Sequence, residues 1–317
     1  MIKNKKIFIT GGAGFLGKNL VDRYYKDNEI TIFSRDEAKH YFLKKLYPNV
    51  RCIIGDITNR ESLVMAGRGH DIGIFTASLK QISAVDENYE IASKIIIDGA
   101  INSRICAEVN GFESACFISS DKSRAATTLY GSMKFVAGES FIVNSDKNTK
   151  TKLSTAIYGN VINSTGSIIP LIWSSIKNNY SLQLYSTEMT RFFLTIEEAM
   201  DLIEFSLGKN GYNVIPIAKS FKINHLFEIY KDRFGLKYEI GTPRVSEKIH
   251  EIMISREERP RTKIEDNYYI MHYRDIINGD KHPACFYEYS SKDVSIDKGA
   301  LENFLEKHNF FNPNERL

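Results

Sequence analysis

The 317 residues of the chain are 43% hydrophobic and 26% charged, with only 7 prolines, a composition typical of a globular protein and not of a disordered or fibrous one. Its 42 basic and 39 acidic residues give a net charge of +3, without a basic block, so we expect no nucleic-acid partner. No apolar run approaches the ~18 residues needed to cross a bilayer, and the first residues lack a secretory signal, so we expect no membrane partner and a cytoplasmic location.

Residues 1–165 alternate short apolar runs with longer amphipathic segments, a pattern typical of βαβ units. The predicted strands are residues 6–10, 30–33, 51–54, 72–76, 115–119 and 153–158. The predicted helices between them include residues 15–25, 61–66, 92–109 and 129–144. This alternation predicts an α/β fold with a Rossmann-type doubly wound parallel sheet.

The pattern changes after residue 165, where helical segments dominate. They are residues 170–177, 196–207 and 224–234. Residues 256–266 carry charges of mixed sign around Pro260, and we interpret them as a solvated loop. We therefore expect a nucleotide-binding domain in residues 1–165 and a smaller C-terminal substrate-binding lobe in residues 166–317. This boundary is approximate and leaves the chain free to cross back.

Three glycines follow the first predicted strand directly. Gly11, Gly14 and Gly17 form the pattern G-x-x-G-x-x-G and lead into a predicted helix. Glycines at such a turn let the backbone approach a pyrophosphate, and the start of the helix offers free N–H groups and a partial positive charge. An isolated glycine motif is weak, but this one lies between a first strand and a helix. It predicts a dinucleotide site that includes Phe15 and Leu16.

The end of the second predicted strand bears on the choice of dinucleotide. NAD enzymes usually place an acid there to hold the ribose 2′-hydroxyl, but here Ser34 takes that position and Arg35 follows it. Because a guanidinium pairs well with a 2′-phosphate, the sequence favours NADP, while Asp36 leaves NAD as the less favoured cofactor. Asp56 and Ile57, after the third strand, are expected either to contact the adenine or to form a simple turn.

A tyrosine and a lysine follow the fifth predicted strand, at Tyr130 and Lys134. Their spacing of four puts them one turn apart on the same face of a helix. A lysine ammonium favours the phenolate form of a nearby tyrosine, and such a tyrosine takes the proton of a substrate hydroxyl while a hydride leaves for the cofactor. The pair is common by chance, but together with the glycine turn it predicts an oxidoreductive site.

Asp121 and Lys122 lie side by side just after the same strand. Once carbon 4 of a sugar is a ketone, the carbon 5 proton becomes acidic, and a dehydratase needs one group to remove it and another to protonate the departing carbon 6 hydroxyl. An adjacent carboxyl and amine suit these tasks if burial tunes their pKa values. The alternative interpretation is a helix-capping aspartate beside a solvated lysine.

These motifs resemble those of the extended short-chain dehydrogenases/reductases (SDRs) of bacterial polysaccharide biosynthesis. The chain is most similar to the inverting UDP-N-acetylglucosamine 4,6-dehydratases of the pseudaminic acid pathway, over most of its length. The similar segments are residues 33–37, 77–81, 119–122, 129–134, 158–161, 166–170, 189–192, 247–251, 253–255 and 289–291. The chain departs from that family's pattern at Ser83, at Ile96 and in residues 123–128, around the expected sugar pocket.

The resemblance implies a role for each site residue. Tyr130 would be the oxidation base, tuned by Lys134, while Lys122 would abstract the carbon 5 proton and Asp121 would protonate the leaving hydroxyl. The product would be a UDP-4-keto-6-deoxy-hexose with carbon 5 inverted and no net redox change. The implied contacts of the NADP cofactor also include Tyr130, Lys134 and Ala77. Those of the UDP-sugar are Lys80, Ser120, Asn160 and Arg191, and Arg191 would bind the diphosphate of the sugar nucleotide.

Two alternatives to a dehydratase stay open. One is a nucleotide-sugar 4-epimerase or reductase of the SDR family that uses only the Tyr130 and Lys134 step. The other is a catalytically silent NADP-binding regulator, although nothing in such a protein would require all four catalytic residues. The histidines show no metal-ligand spacing, so we expect no metal, and the resemblance implies a homo-oligomer.

Overall fold

The computed structural model describes residues 2–143, 145–146, 150–243, 245–277 and 287–312. Their helices are α1 (Phe15–Tyr24), α2 (Glu37–Leu46), α3 (Arg60–Ala66), α4 (Ile82–Glu87), α5 (Tyr89–Ser93), α6 (Gly99–Val109), α7 (Leu129–Ile142), α8 (Ile168–Asn178), α9 (Ile196–Leu207), α10 (Ile223–Phe234) and α11 (Lys298–Lys307). Their strands are β1 (Lys6–Thr10), β2 (Glu29–Ser34), β3 (Arg51–Ile54), β4 (Ile72–Phe75), β5 (Ser114–Ile118), β6 (Lys152–Ala156), β7 (Asn160–Val161), β8 (Leu182–Leu184), β9 (Thr190–Leu194), β10 (Tyr212–Pro216), β11 (Lys219–Lys222), β12 (Tyr238–Ile240), β13 (Ile252–Ile254), β14 (Thr262–Glu265), β15 (Tyr268–His272), β16 (Tyr289–Ser290) and β17 (Ser295–Ile296). Residue 144, the predicted end of α7, lies outside the described residues.

A parallel sheet forms the centre of the larger lobe, in the order β3-β2-β1-β4-β5-β6-β10. Its central strands are apolar on both faces, because α1, α2 and α9 cover one face and α3, α6 and α7 the other. The direction of strand succession reverses between β1 and β4, where the carboxyl ends of parallel strands leave a crevice for a ligand. The predicted Rossmann-type doubly wound fold is confirmed.

The chain crosses back into this sheet after residue 165. β10 lies parallel to β6, and β15 and then β14 add antiparallel strands at that edge. Because Thr262–Glu265 form β14, the prediction of a solvated loop in residues 256–266 is wrong. An edge strand pairs through its backbone and tolerates charge on its open side. Accordingly Lys263 is exposed, whereas Glu258 and Pro260, just before the strand, are buried.

The smaller lobe contains a second sheet in the order β17-β11-β9-β7. Helices α8, α10 and α11 supply Ile172, Phe227 and Leu301 to the buried cluster of this lobe. All of β9 is buried, so Arg191, its second residue, extends toward the neighbouring lobe from a rigid strand.

The predicted helix at residues 92–109 is interrupted. α5 ends at Ser93, Lys94–Asp98 form one turn of π-helix, and α6 begins at Gly99. Ile96 lies within this turn and belongs to the same buried cluster as Tyr130. A π turn inserts a residue and rotates the helix face that follows it, which an apolar run of isoleucines does not reveal.

Candidate active site

The glycine turn joins β1 to α1 at the switch point of the sheet. A Cβ atom on Gly17 would lie 2.4 Å from the Gly11 carbonyl oxygen, so only glycine lets α1 start so close to the turn. Gly14 is the N-cap of α1 and has no side chain to occupy the first N–H groups of the helix, which include those of Phe15 and Leu16. These donors and the helix dipole fit a pyrophosphate.

Exposed ion pairs follow β2. The Asp36 carboxylate accepts a 3.0 Å hydrogen bond from the backbone N–H of Lys39 as the N-cap of α2, and it pairs with the Lys39 ammonium at 2.8 Å. The Arg35 guanidinium lies 3.6 Å from the Asp56 carboxylate, whose other oxygen accepts hydrogen bonds from Thr58 and closes the turn after β3. Asp36 is therefore occupied by its own helix, whereas Arg35 can turn toward a ligand.

The remaining cofactor candidates lie at the same edge of the sheet. The Ser34 hydroxyl lies 2.6 Å from Nε2 of His40, a nearly buried residue of α2. Ile57 is buried and Ala77, which follows β4, is half-buried. These residues surround the carboxyl ends of β1 to β4, where the fold places a dinucleotide.

A close approach of two segments brings the catalytic candidates together. A single 3₁₀ turn, Asp121–Ser123, follows β5. A Cβ atom on Gly131 would lie 2.3 Å from the Lys122 carbonyl oxygen, so glycine allows the start of α7 to contact this turn. The Thr128 hydroxyl caps α7 by accepting a 3.1 Å hydrogen bond from the Gly131 N–H, which fixes the helix start and with it Tyr130.

The Asp121 carboxylate is fully buried and paired with its neighbour. Its Oδ1 lies 3.1 Å from Lys122 Nζ and accepts a 2.9 Å hydrogen bond from the Ser120 hydroxyl, while Oδ2 has no hydrogen-bond partner among the described residues. Burial raises the pKa of Asp121, and Lys122 opposes that rise. Burial favours the neutral amine of Lys122, but Asp121 and Glu251 raise the pKa of Lys122 above its ordinary value. The resting pair is thus a salt bridge whose two members compete for one proton.

The smaller lobe adds a second carboxylate, Glu251, to which the sequence analysis assigned no role. Its Oε1 lies 3.5 Å from Lys122 Nζ and 3.7 Å from Arg191 Nε, and its Oε2 lies 3.6 Å from Lys248 Nζ. Arg191 also pairs with Glu247 at 3.1 Å. The sequence signals are the similarity of residues 247–251 to the dehydratase family, which gave no role to Glu251, and a mixture of acids and bases that is equally typical of an exposed loop.

Tyr130 and Lys134 lie on the buried side of α7. Burial raises the pKa of Tyr130 to about 12, although the Lys122 ammonium lowers it in part. Burial lowers the pKa of Lys134 to about 8, and Lys134 Nζ lies 3.4 Å from the Ile118 carbonyl oxygen. Tyr130 is therefore a neutral phenol at neutral pH, and its base form requires further positive charge beside the ring.

The substrate candidates do not all meet at this cluster. Arg191 and Ser120 lie in it. Lys80 is exposed, and its ammonium donates a hydrogen bond to the carbonyl of Thr165. Asn160 is exposed at the start of β7 and is not among the residues that line the cavity between the lobes. The resemblance thus gave two residues that the structure brings to the acid–base pair and two that lie apart from it.

A cavity of about 440 Å³ opens between the lobes, within the range of small-molecule sites. Its charged and polar lining residues are Ser83, Asp86, Lys122, Thr127, Thr128, Arg191, Ser246, Glu247, Lys248 and Glu251. Three cations of this lining are matched by three carboxylates, so the cavity suits a polar ligand.

A fully buried arginine fixes the loop between the 3₁₀ turn and α7. The Arg124 guanidinium lies 2.7 Å from Glu258 and 3.2 Å from Glu139. The Lys248 ammonium donates a 2.6 Å hydrogen bond to the Arg124 carbonyl. Residues 123–128 depart from the family's usual pattern, and this network attaches them to the smaller lobe.

Two kinds of feature are absent from the part of the chain that the structure describes. No three His, Cys, Asp or Glu side chains there are grouped so that they could hold a metal ion. None of the helices there has both the length and the apolar character needed to span a bilayer. The His250 ring lies 2.8 Å from the Thr190 hydroxyl, a contact that attaches residues 247–251 to β9.

Known proteins resemble the chain in sequence. The family described as "Polysaccharide biosynthesis protein" matches residues 7–273. The chain belongs to this family. A UDP-N-acetylglucosamine 4,6-dehydratase (inverting) of Campylobacter jejuni subsp. jejuni serotype O:23/36 (strain 81-176) is 33% identical over 279 residues, which are 85% of this chain and 83% of the relative. A UDP-glucose 4-epimerase of Rickettsia bellii (strain RML369-C) is 30% identical over 317 residues, with 93% of each chain covered.

Solved structures share the fold at lower sequence identity. Pen from Bacillus thuringiensis has a TM-score of 0.88 at 24% identity, with 97% of this chain and 99% of that chain covered. DesIV, a dTDP-glucose 4,6-dehydratase from Streptomyces venezuelae, has a TM-score of 0.66 at 17% identity, with 77% and 86% covered. The predicted resemblance to the extended SDR enzymes of polysaccharide biosynthesis is confirmed, and this family member is an enzyme of the dehydratase and epimerase group.

Proposed function

We propose that this polysaccharide biosynthesis protein is a 4,6-dehydratase that acts on UDP-N-acetylglucosamine and inverts carbon 5. The observation that carries the proposal is the pair of the buried Asp121 with Lys122 at the cavity, next to Tyr130. An epimerase needs a base only at carbon 4, whereas a dehydratase needs a further acid and base for elimination. The name of the Campylobacter relative supports this choice, and that of the Rickettsia relative makes a 4-epimerase the second candidate.

The chain's own groups would perform the proton transfers. Bound NADP would supply the redox chemistry by taking a hydride from carbon 4 and returning it to carbon 6. Tyr130 takes the proton of the carbon 4 hydroxyl as a phenolate, a form that the positive charges of Lys134, one turn along α7, and of the oxidised cofactor would favour. The neutral amine of Lys122 then removes the carbon 5 proton, and the carboxylic acid of Asp121 protonates the carbon 6 hydroxyl, which leaves as water.

The proton balance of this scheme closes on the pair itself. Before elimination one proton passes from Lys122 to Asp121 across their 3.1 Å contact. After elimination Lys122 holds the proton from carbon 5, and Asp121 is again a carboxylate. Tyr130 releases the proton from carbon 4 to solvent, and one proton from solvent is added to carbon 5 on the opposite face, so the inverted product is complete and only water is lost.

Proton NMR of the enzyme with UDP-N-acetylglucosamine in deuterated water tests the proposal. We expect a new carbon 6 methyl signal, deuterium at carbon 5, and couplings that report an inverted carbon 5. An epimerase would instead change the carbon 4 configuration without a methyl signal. Bound NADP(H) without turnover across a panel of nucleotide sugars would identify a silent regulator.

Substitution of the proposed base separates the oxidation step from the elimination step. Lys122→Met should abolish the methyl signal while absorbance of the reduced nicotinamide still appears on mixing with substrate, because Tyr130 and Lys134 are intact. Lys298→Met, which removes an exposed lysine paired with Glu228 and Asp232, is the matched control and should turn over normally. A Lys122→Met variant that still forms the methyl product would contradict the assignment.

The proposed cofactor is NADP, and its support comes from the end of β2. Asp36 is engaged in capping α2 and in its pair with Lys39, so it is not free to bind ribose hydroxyls. Arg35 is exposed and loosely paired with Asp56, which leaves it able to meet a 2′-phosphate.

A homo-oligomer is proposed from the open face of α7. Phe135 and Val136 on this helix and Val143 just after its end are exposed, an apolar stripe of a kind that marks an interaction surface. A second copy would cover it, because the same stripe on both subunits makes a self-complementary contact. In sedimentation velocity Val136→Asp should shift the protein to a smaller species, while Ile264→Asp, at an equally open site on β14, should not. The cytoplasmic location stays a prediction.

A further inference from the structure

Glu251 is a buried carboxylate at the point where the two lobes meet. It is 3% exposed, and its backbone is fixed by two hydrogen bonds of 2.8 Å with Ser291. Its two oxygens are in ion-pair contact with Lys122, Arg191 and Lys248 at 3.5, 3.7 and 3.6 Å. Oε2 has no hydrogen-bond partner among the described residues. A carboxylate so placed persists only because cations surround it.

The two carboxylates near Arg191 differ in what a ligand can do to them. The Glu247 side chain is 26% exposed at the cavity, whereas that of Glu251 is 4% exposed. A diphosphate that approaches Arg191 can displace Glu247 into solvent, but Glu251 has nowhere to move. Glu251 therefore keeps contact with Lys122 and Arg191 whether or not a ligand is bound.

We propose that Glu251 is a positioning residue that holds the proton-transferring Lys122 beside the diphosphate-binding Arg191 and sets the pH range over which the Asp121–Lys122 pair carries one proton. This inference rests on the proposed function for its kinetic consequence. Elimination requires the pair to share one proton, so the alkaline limb of the rate profile reports loss of that proton and the acid limb reports gain of a second.

The sign of the effect follows from charge. The negative charge of Glu251 favours the protonated form of both members of the pair, so removing it makes both lose protons more easily. The charged and titratable groups that face the pair and Glu251 come from both lobes. They are Tyr130 on α7, Arg191 on β9 with its partner Glu247, and Lys248 in the segment before β13.

Glu251→Gln keeps the size and removes the charge. We expect both limbs of its pH–rate profile for methyl formation to move to lower pH by roughly one unit. Glu251→Asp, which keeps the charge, should restore limbs close to those of the wild type. Glu247→Gln is the matched control, because it removes a carboxylate from Arg191 without touching Lys122, and its limbs should move less than those of Glu251→Gln. Lys248→Gln removes a cation and should move both limbs to higher pH.

A second measurement does not depend on turnover. An amine reacts with cyanate only in its neutral form. The rate of Lys122 carbamylation at pH 8, followed by peptide mass spectrometry, therefore reports the fraction of Lys122 that is neutral. We expect about a tenfold faster reaction in Glu251→Gln than in the wild type, which corresponds to a shift of about one pH unit, and a slower reaction in Lys248→Gln.

These results separate the two proposals. If the wild type forms no methyl product but the carbamylation rates differ as expected, the dehydratase proposal fails and the role of Glu251 stands. If Glu251→Gln and Lys248→Gln change neither the pH limbs nor the carbamylation rates, Glu251 only stabilises the fold and the inference is overturned. If Glu251→Gln does not fold, Lys248→Gln provides the test, because its pH limbs and its carbamylation rate are expected to change in the opposite direction.

Discussion

Two regions of the cleft use the same residue types in different surroundings. After β2, Arg35 and Lys39 pair with carboxylates in solvent, and their side chains are both 63% exposed. Between the lobes, Lys122 and Arg191 pair with carboxylates that are almost fully buried. Exposed ion pairs contribute about 0–1 kcal/mol and rearrange freely, whereas a buried charge that loses its partner costs several kcal/mol.

The difference suits the two tasks. A side chain that must turn toward an incoming phosphate gains from weak, exposed pairing, because little is lost when the pair opens. Groups that must hold a proton on one chosen atom gain from burial, because each charge then constrains the others. The three predictions that follow test this contrast, from the largest expected effect to the smallest.

Removing the buried guanidinium of Arg124 should have the largest effect on stability. Arg124→Met leaves Glu258 without its 2.7 Å partner, and we expect the free energy of unfolding to fall by about 3–5 kcal/mol. Arg35→Met removes an exposed guanidinium and should change it by less than about 0.5 kcal/mol. Urea unfolding of the two variants measures both values, and equal effects would show that burial does not distinguish the two guanidinium groups.

Lys134 should make folding depend on pH. Its folded pKa is about 8, below the ordinary 10.5, so stability is reduced below pH 8 and recovers as the pH rises toward 10.5. Lys134→Met removes this loss of stability, and we expect the free energy of unfolding of the variant to exceed that of the wild type by up to about 3 kcal/mol at pH 7. The gain should disappear near pH 10.5.

Urea unfolding at the two pH values gives this difference, with the exposed Lys152→Met as control. A Lys134→Met variant that is less stable than the wild type at pH 7 would show that the ammonium is well solvated in the fold. The variant should also lose turnover, because Tyr130 then lacks its neighbouring cation.

Arg35 should decide cofactor preference with a smaller effect. Reversing its charge in Arg35→Glu removes one charge-assisted hydrogen bond to a 2′-phosphate, and we expect NADP binding to weaken about 10–100-fold. NAD lacks that phosphate, so its affinity should change little. Calorimetric titration with both dinucleotides measures this, and equal weakening of the two would refute the NADP assignment.

The sequence predicted those parts of the structure that depend on short segments. The six strands predicted in residues 1–165 are short apolar runs, most of which are buried, and the glycine turn and the pair Tyr130 and Lys134 follow fixed spacings. The sequence left the chain free to cross back, but it did not predict the strands β10, β15 and β14 that do so, and β14 pairs at a sheet edge with polar side chains. The π turn at Lys94–Asp98 was missed because it changes helical register without a change in composition.

The side chains that meet at the candidate site were predicted to be neighbours only where they are local in sequence. Asp121 and Lys122 are adjacent and near Tyr130, so their proximity follows from chain order. Glu251 reaches Lys122 from a different lobe, and no periodicity marks it. The same is true of Arg124, whose charge gave no sign of complete burial. Contacts between distant segments depend on tertiary packing, which a single sequence does not display.

Arg124 and Glu258 are separated by 134 positions in the chain, and this separation has a consequence for biosynthesis. Most of the parallel strands leave the ribosome well before Glu258, and domains begin to fold as they emerge. Until Glu258 has emerged, the Arg124 guanidinium lacks the carboxylate that compensates for its burial, and the loop before α7 cannot reach its final conformation. The nucleotide-binding half can thus form on the nascent chain, but the acid–base centre matures only late in translation. A message truncated before codon 258 would yield a protein recognised by quality-control proteases.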